Sequence, residues 1–89
     1  MFRIELDVSY ENDIKEVTEF GNKHSCHTKI VEEFGPAGGN PVVEYSSAAL
    51  YDVLNLIKDY TWGDLDDLEY LSKYITNDNL KDFDAREYF

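Results

Sequence analysis

The chain has 89 residues, with nineteen Asp or Glu against eight Lys or Arg, and a formal net charge of −11 with both histidines neutral. No cluster of Lys or Arg supplies the phosphate contacts that direct nucleic-acid binding or adhesion to an anionic membrane requires. The length predicts one domain, 1–89, with a modest core, and the 43% apolar and 15% aromatic content is too rich for a disordered acidic tail.

Phe2, Ile4, Leu6 and Val8 alternate with Arg3, Glu5 and Asp7, a period of two that places four apolar side chains on one face of a strand. The same alternation argues against a leader peptide. From Glu11 to Lys23, Ile14, Val17 and Phe20 recur about every three residues, which fits a short helix capped by Asn12 or Asp13. Thr18 and Gly21 weaken that pattern, and a loop fits as well. Cys26 to Phe34 and Pro41 to Tyr45 carry Thr28, Ile30, Val31, Val42 and Val43 on either side of the Gly35–Pro41 turn, predicting an antiparallel hairpin. Ser46 and Ser47 are candidate caps for a helix from Ser47 to Tyr60, with Leu50, Val53, Leu54 and Ile57 on one face and Gly63 as its stop. Asp64 caps a further helix with a stripe of Leu65, Leu68, Leu71 and Ile75, ended by Asn77-Asp78-Asn79. Leu80 to Phe89 either add a helical turn or two or fray. The order β-α-β-β-α-α predicts an α+β fold: a small antiparallel sheet of about three strands with helices on one face.

The single cysteine, Cys26, has no partner for an internal disulfide, as expected in a reducing cytosol. The longest apolar run, Ala48 to Tyr51, is far short of a membrane span. His24, Cys26 and His27 are zinc-ligating types, but no second Cys or His pair completes a site, so no metal or other cofactor is expected. Asp64, Asp66, Asp67 and Glu69 depart from a calcium loop, whose fifth, sixth and twelfth positions here are Leu68, Glu69 and Ile75. Acidic residues at a helix start are also favoured by its exposed amides. The Gly35–Pro41 loop lacks the Lys of a phosphate cradle and follows Glu32 and Glu33. No nucleophile sits in a recognisable motif, and the chain reads as a non-enzyme.

The charge is unevenly placed. Residues 59–89 hold nine acids and three bases, a net of −6, interleaved with aromatic residues. Carboxylates and aromatic rings together suit a surface that meets arginine and lysine. Carboxylates three or four positions apart on a helix lie about 5–6 Å apart, of the order of the phosphate spacing in nucleic acid. The candidate partner-binding residues are therefore Asp59, Tyr60, Trp62, Asp64, Asp66, Asp67, Glu69, Tyr70, Tyr74, Asp78 and Asp82. The alternative is that these are solvated helix faces, with some of the aromatics in the core.

The stretch from Phe34 to Tyr45, followed by the Ser-capped helix, resembles a strand–turn–strand–helix segment of small bacteriophage proteins and covers about a third of the chain. In physical character the chain is similar to phage inhibitors of host defence nucleases, among them anti-CRISPR proteins and other DNA mimics. That resemblance implies an inhibitor in the host cytosol that occupies the basic nucleic-acid channel of an effector such as a CRISPR complex. Two alternatives stand beside it: an immunity protein or antitoxin of a basic nuclease toxin, and a metal-dependent or small-ligand enzyme using His24, Cys26 and His27.

Overall fold

The computed structural model describes residues 1–8, 14–32, 41–78 and 84–88. The fold is α+β. Strand β1 (Phe2–Asp7) leads to helix α1 (Ile14–Lys23), strands β2 (His27–Glu32) and β3 (Val42–Ser47), and helices α2 (Leu50–Tyr60) and α3 (Leu65–Ser72). A two-residue strand β4 (Thr76–Asn77) and a 3₁₀ turn (Ala85–Tyr88) complete the described chain. The sheet is antiparallel in the order β2-β3-β1-β4. The hairpin tip at residues 35–40, the candidate caps Asn12 and Asp13, and Leu80 and Phe83 lie outside the described residues.

Register explains the two faces. Ile4, Tyr45 and Thr28 form one row across the sheet, and Leu6, Val43 and Ile30 the next. These rows face the helices: Ile4, Leu6, Val43 and Tyr45 are buried together with Val17 of α1 and Val53, Leu56 and Ile57 of α2. On the opposite face Glu5 and Glu44 stand directly across from one another, with Lys29 beyond Glu44. Arg3 relieves that like-charge contact, donating from Nη1 to Glu44 Oε1 at 3.0 Å.

The hairpin joins β2 to β3 as the sequence predicts, with an irregularity at Val31. Helix α1 forms, and Gly21 is favoured there because a side chain would collide with that of Thr28. Tyr45 passes beneath α1 and donates its hydroxyl to the Val17 carbonyl at 3.2 Å.

Two expectations are corrected. Ser46 and Ser47 do not cap α2 as its first residues; both are buried at the end of β3, and the helix begins at Leu50. Pairing of Ser46 and Ser47 with Arg3 and Phe2 extends the strand past the point where side-chain pattern alone ends it. Ser47 Oγ instead accepts from the Ala49 amide at 3.2 Å and donates to Asp52 at 2.8 Å, so it shapes the turn into α2. Next, α3 ends at Ser72, not at residues 77–79, because Thr76 and Asn77 pair with Arg3 and Phe2 as a fourth strand. Ile75 is consequently buried from the connection after the helix, while Leu65, at the helix start, is 70% exposed and outside the core. Of the two readings of the C-terminal residues, the described ones take the helical turn: Ala85–Tyr88 form a single 3₁₀ turn in which Ala85 is fully buried.

Candidate functional site

The turn between α2 and α3 is built from two helix ends. Helix α2 closes with Trp62 N–H donating to Asp59 O at 3.2 Å and Gly63 N–H to Lys58 O at 2.8 Å, the paired bonds of a Schellman ending. Sequence points to Gly63 as the left-handed residue, but Trp62 also takes positive φ, 60°, ahead of Gly63 at 80°. A bulky residue there is rare, since its Cβ crowds the following carbonyl by about 1–2 kcal/mol. No burial offsets this: Trp62 is 97% exposed. Asp64 then caps α3, its carboxylate accepting from the amides of Asp66 at 2.9 Å and Asp67 at 3.1 Å.

Beside Trp62 opens a cleft of about 750 Å³, floored by Val8, Val17, Phe20 and Tyr45 and walled by Tyr60 and Trp62. Asp7, Glu16, Lys23 and Asp59 stand at its edge. Trp62 and Asp59 also border a second hollow with His24, Asn55 and Lys58, so the two residues form a ridge between the depressions.

The structure divides the predicted binding residues. Asp59 is engaged within the chain, accepting from Lys23 Nζ at 3.1 Å and His24 Nε2 at 2.9 Å. The His24 bond, then that of Lys23, holds its carboxyl below the usual range. Tyr60 is a packing residue that donates its hydroxyl to the Asp7 carbonyl at 2.7 Å, and burial raises its phenol. Asp78 is gripped by Arg3, through Nε at 3.1 Å and Nη2 at 3.0 Å, and lies 3.6 Å from the N-terminal ammonium. Arg3 keeps the Asp78 carboxyl low. Asp64 is occupied as a cap. Asp82 lies outside the described residues.

Trp62, Asp66, Asp67, Glu69, Tyr70 and Tyr74 remain on the outside. Among the described residues no hydrogen bond or ion pair engages the carboxylates of Asp66 and Asp67. Tyr70 and Tyr74 meet edge to face, ring centres 5.7 Å apart and hydroxyls at 3.3 Å. Lys73 Nζ sits 4.1 Å from the Tyr70 ring centre and 4.9 Å from that of Tyr74. The shared hydrogen bond lowers the Tyr74 phenol, with help from Lys73, and raises that of Tyr70. Lys73 and Arg86 also line a hollow with Asp66 and Glu69, so the outer face of α3 is mixed in sign rather than uniformly acidic.

Sequence reasoning missed the contribution of α1 to the cleft. Val17 and Phe20 carried only a core signature, and nothing in the chain order marks His24 and Lys23 as partners of Asp59. The three residues considered for a metal are dispersed: His24 is bound to Asp59, Cys26 is buried, and His27 is exposed on the open sheet face opposite Ser46. Burial raises the Cys26 thiol to about 11. Among the described residues no three His, Cys, Asp or Glu side chains could hold a metal ion, and no helix is long and apolar enough to cross a membrane.

Comparisons with protein-family models, curated proteins and solved structures find no match.

Proposed function

We propose that the protein is a binding protein that docks on the basic, nucleic-acid-binding surface of another protein and competes with nucleic acid for it. The single observation that carries this reading is Trp62: almost wholly in water, held at a left-handed helix end where glycine is the unstrained choice, and followed by Asp64, Asp66 and Asp67. An indole kept exposed in an unfavourable backbone state is an economical reading only if something uses it. The neighbouring carboxylates supply charge complementarity to arginine and lysine, and the net charge of −11 supplies steering toward a basic cleft. A host defence nuclease is the target class that the likeness to phage inhibitors adds.

The test is direct. The immobilised protein is presented with a bacterial lysate at low salt, eluted by a salt step, and each captured nuclease is assayed for inhibition and for competition with its nucleic acid. Asp66→Lys together with Asp67→Lys should abolish capture and inhibition while leaving the Asp64 cap intact. Capture that survives high salt, or inhibition unaffected by the double reversal, overturns the reading.

A further inference from the structure

The cleft beside Trp62 specifies what kind of side chain a partner would place there. Its floor is apolar, its outer wall is an exposed indole, and Asp59 stands at the mouth with its side chain 40% exposed. Both internal contacts of Asp59 fall on one oxygen, Oδ2; no donor among the described residues reaches Oδ1. A flat aromatic surface next to a carboxylate oxygen with open lone pairs, above an apolar trough, matches three parts of one side chain. A guanidinium stacks on an indole and is weakly hydrated, its N–H groups reach a carboxylate while stacked, and its three methylenes lie along apolar surface. An ammonium carries the same charge but has no plane to stack and holds its water more tightly.

We propose that this cleft receives an arginine side chain of a protein partner, the guanidinium stacked on Trp62 and hydrogen-bonded to Asp59 Oδ1, the methylenes lying against Phe20 and Tyr60. The assignment rests on the reading of the protein as one that docks on a basic surface, and it adds an anchor in the cleft to the carboxylates of α3. His24 and Lys23, the latter also at the edge of the cleft, both hold Asp59 through Oδ2, so the receiving carboxylate is fixed before the partner arrives.

Trp62 is the only tryptophan of the chain, so its emission reports on the ridge that walls the cleft. The full-length protein is titrated with blocked tetra-arginine and, separately, with blocked tetra-lysine of equal charge. Tetra-arginine should change the emission saturably and bind at least about threefold more tightly than tetra-lysine, as a stacking contribution of ordinary size requires. Asp59→Asn should remove most of that preference. Because the substitution also disturbs the contact with α1, Trp62→Gly provides a second variant, followed by anisotropy of a fluorescein-labelled tetra-arginine; it too should bind the two peptides alike. Equal affinity for both peptides in the unaltered protein, an emission that does not respond, or a preference that survives Trp62→Gly each overturns the proposal. Its failure is separable from that of the docking reading. Loss of nuclease capture on reversal of Asp66 and Asp67, without arginine preference, removes only the cleft; arginine preference without any salt-sensitive capture removes only the competition with nucleic acid.

Discussion

Gly21 and Thr28 meet where helix α1 crosses strand β2, so closely that a Cβ at position 21 would overlap Thr28 Oγ1 and press on the Tyr45 ring at 3.1 Å. Alanine would raise helix propensity by up to about 1 kcal/mol. Overpacking a closed site typically loses about 1–3 kcal/mol, so the collision wins. Gly21→Ala should therefore destabilise the fold by roughly 1–2 kcal/mol in a denaturant titration. The obstructing Thr28 hydroxyl is itself buried without a hydrogen-bond partner among the described residues. Removing it with Thr28→Ala should recover much of the Gly21→Ala loss in the double variant; strictly additive effects would show that the two residues do not interfere.

Trp62 leads to an opposite pairing of stability and binding. Replacing it with glycine relieves a left-handed penalty of about 1–2 kcal/mol and adds about 0.4–1 kcal/mol of unfolded-state entropy, while forfeiting almost no buried area. Trp62→Gly should raise the midpoint of thermal unfolding by a few degrees and weaken partner binding at the same time. A variant that melts lower would mean the indole is packed against something in solution.

At acid pH, Asp59 provides a local readout. Its carboxyl is held low by His24 and then Lys23, so the folded form binds a proton less readily than the unfolded chain. The stabilisation is present above the ordinary carboxylate range near pH 4 and is lost as pH falls through the lower folded value. The stability difference between the unaltered protein and Asp59→Asn should accordingly shrink as pH falls from about 5 toward 3. A difference that stays unchanged at pH 3 would assign the effect to packing alone.

At the alkaline end, two buried acids act together. Burial raises the Tyr45 phenol to about 12 and the Cys26 thiol to about 11, so both are kept neutral by the fold. Stability from these groups is complete below their unfolded values and declines as pH rises toward the folded ones. Unfolding should become easier from about pH 9 upward. Tyr45→Phe should flatten the steeper part of that decline between about pH 10 and 12, though it also gives up the hydrogen bond to Val17. Cys26 should react with a thiol reagent at pH 8 only after denaturant is added; rapid labelling of the native protein would contradict its burial.

The sequence made some of this readable and hid the rest for physical reasons. Strand β1 was plain because Phe2, Ile4 and Leu6 obey one period, and the α3 cap because Asp64 acts on amides two and three residues away. Thr76 and Asn77 carry no periodicity, so β4 depends entirely on meeting Arg3 and Phe2 across the sheet. Leu65 fits a helical stripe that α3 is too short to bury. Among the candidate contacts, Asp59 and Asp78 looked as available as Asp66 and Asp67, because nothing local distinguishes a carboxylate already held by His24 or Arg3 from one facing water. The exposure of Trp62 was equally invisible, since a lone Trp between two helices is as plausible in the core.

The irregularity at Val31 has a consequence for the protein's life at high concentration. β2 is the outermost strand on its side of the sheet, and an outer strand is a template on which another chain can continue the ladder. The break in register between Ile30 and Glu32 would put such an intruder out of step near the end of the strand, and the exposed charges of Lys29 and Glu32 would have to be accommodated beside it. One misfitted residue, left partly in water, thus shortens the regular stretch of edge on which another chain could pair.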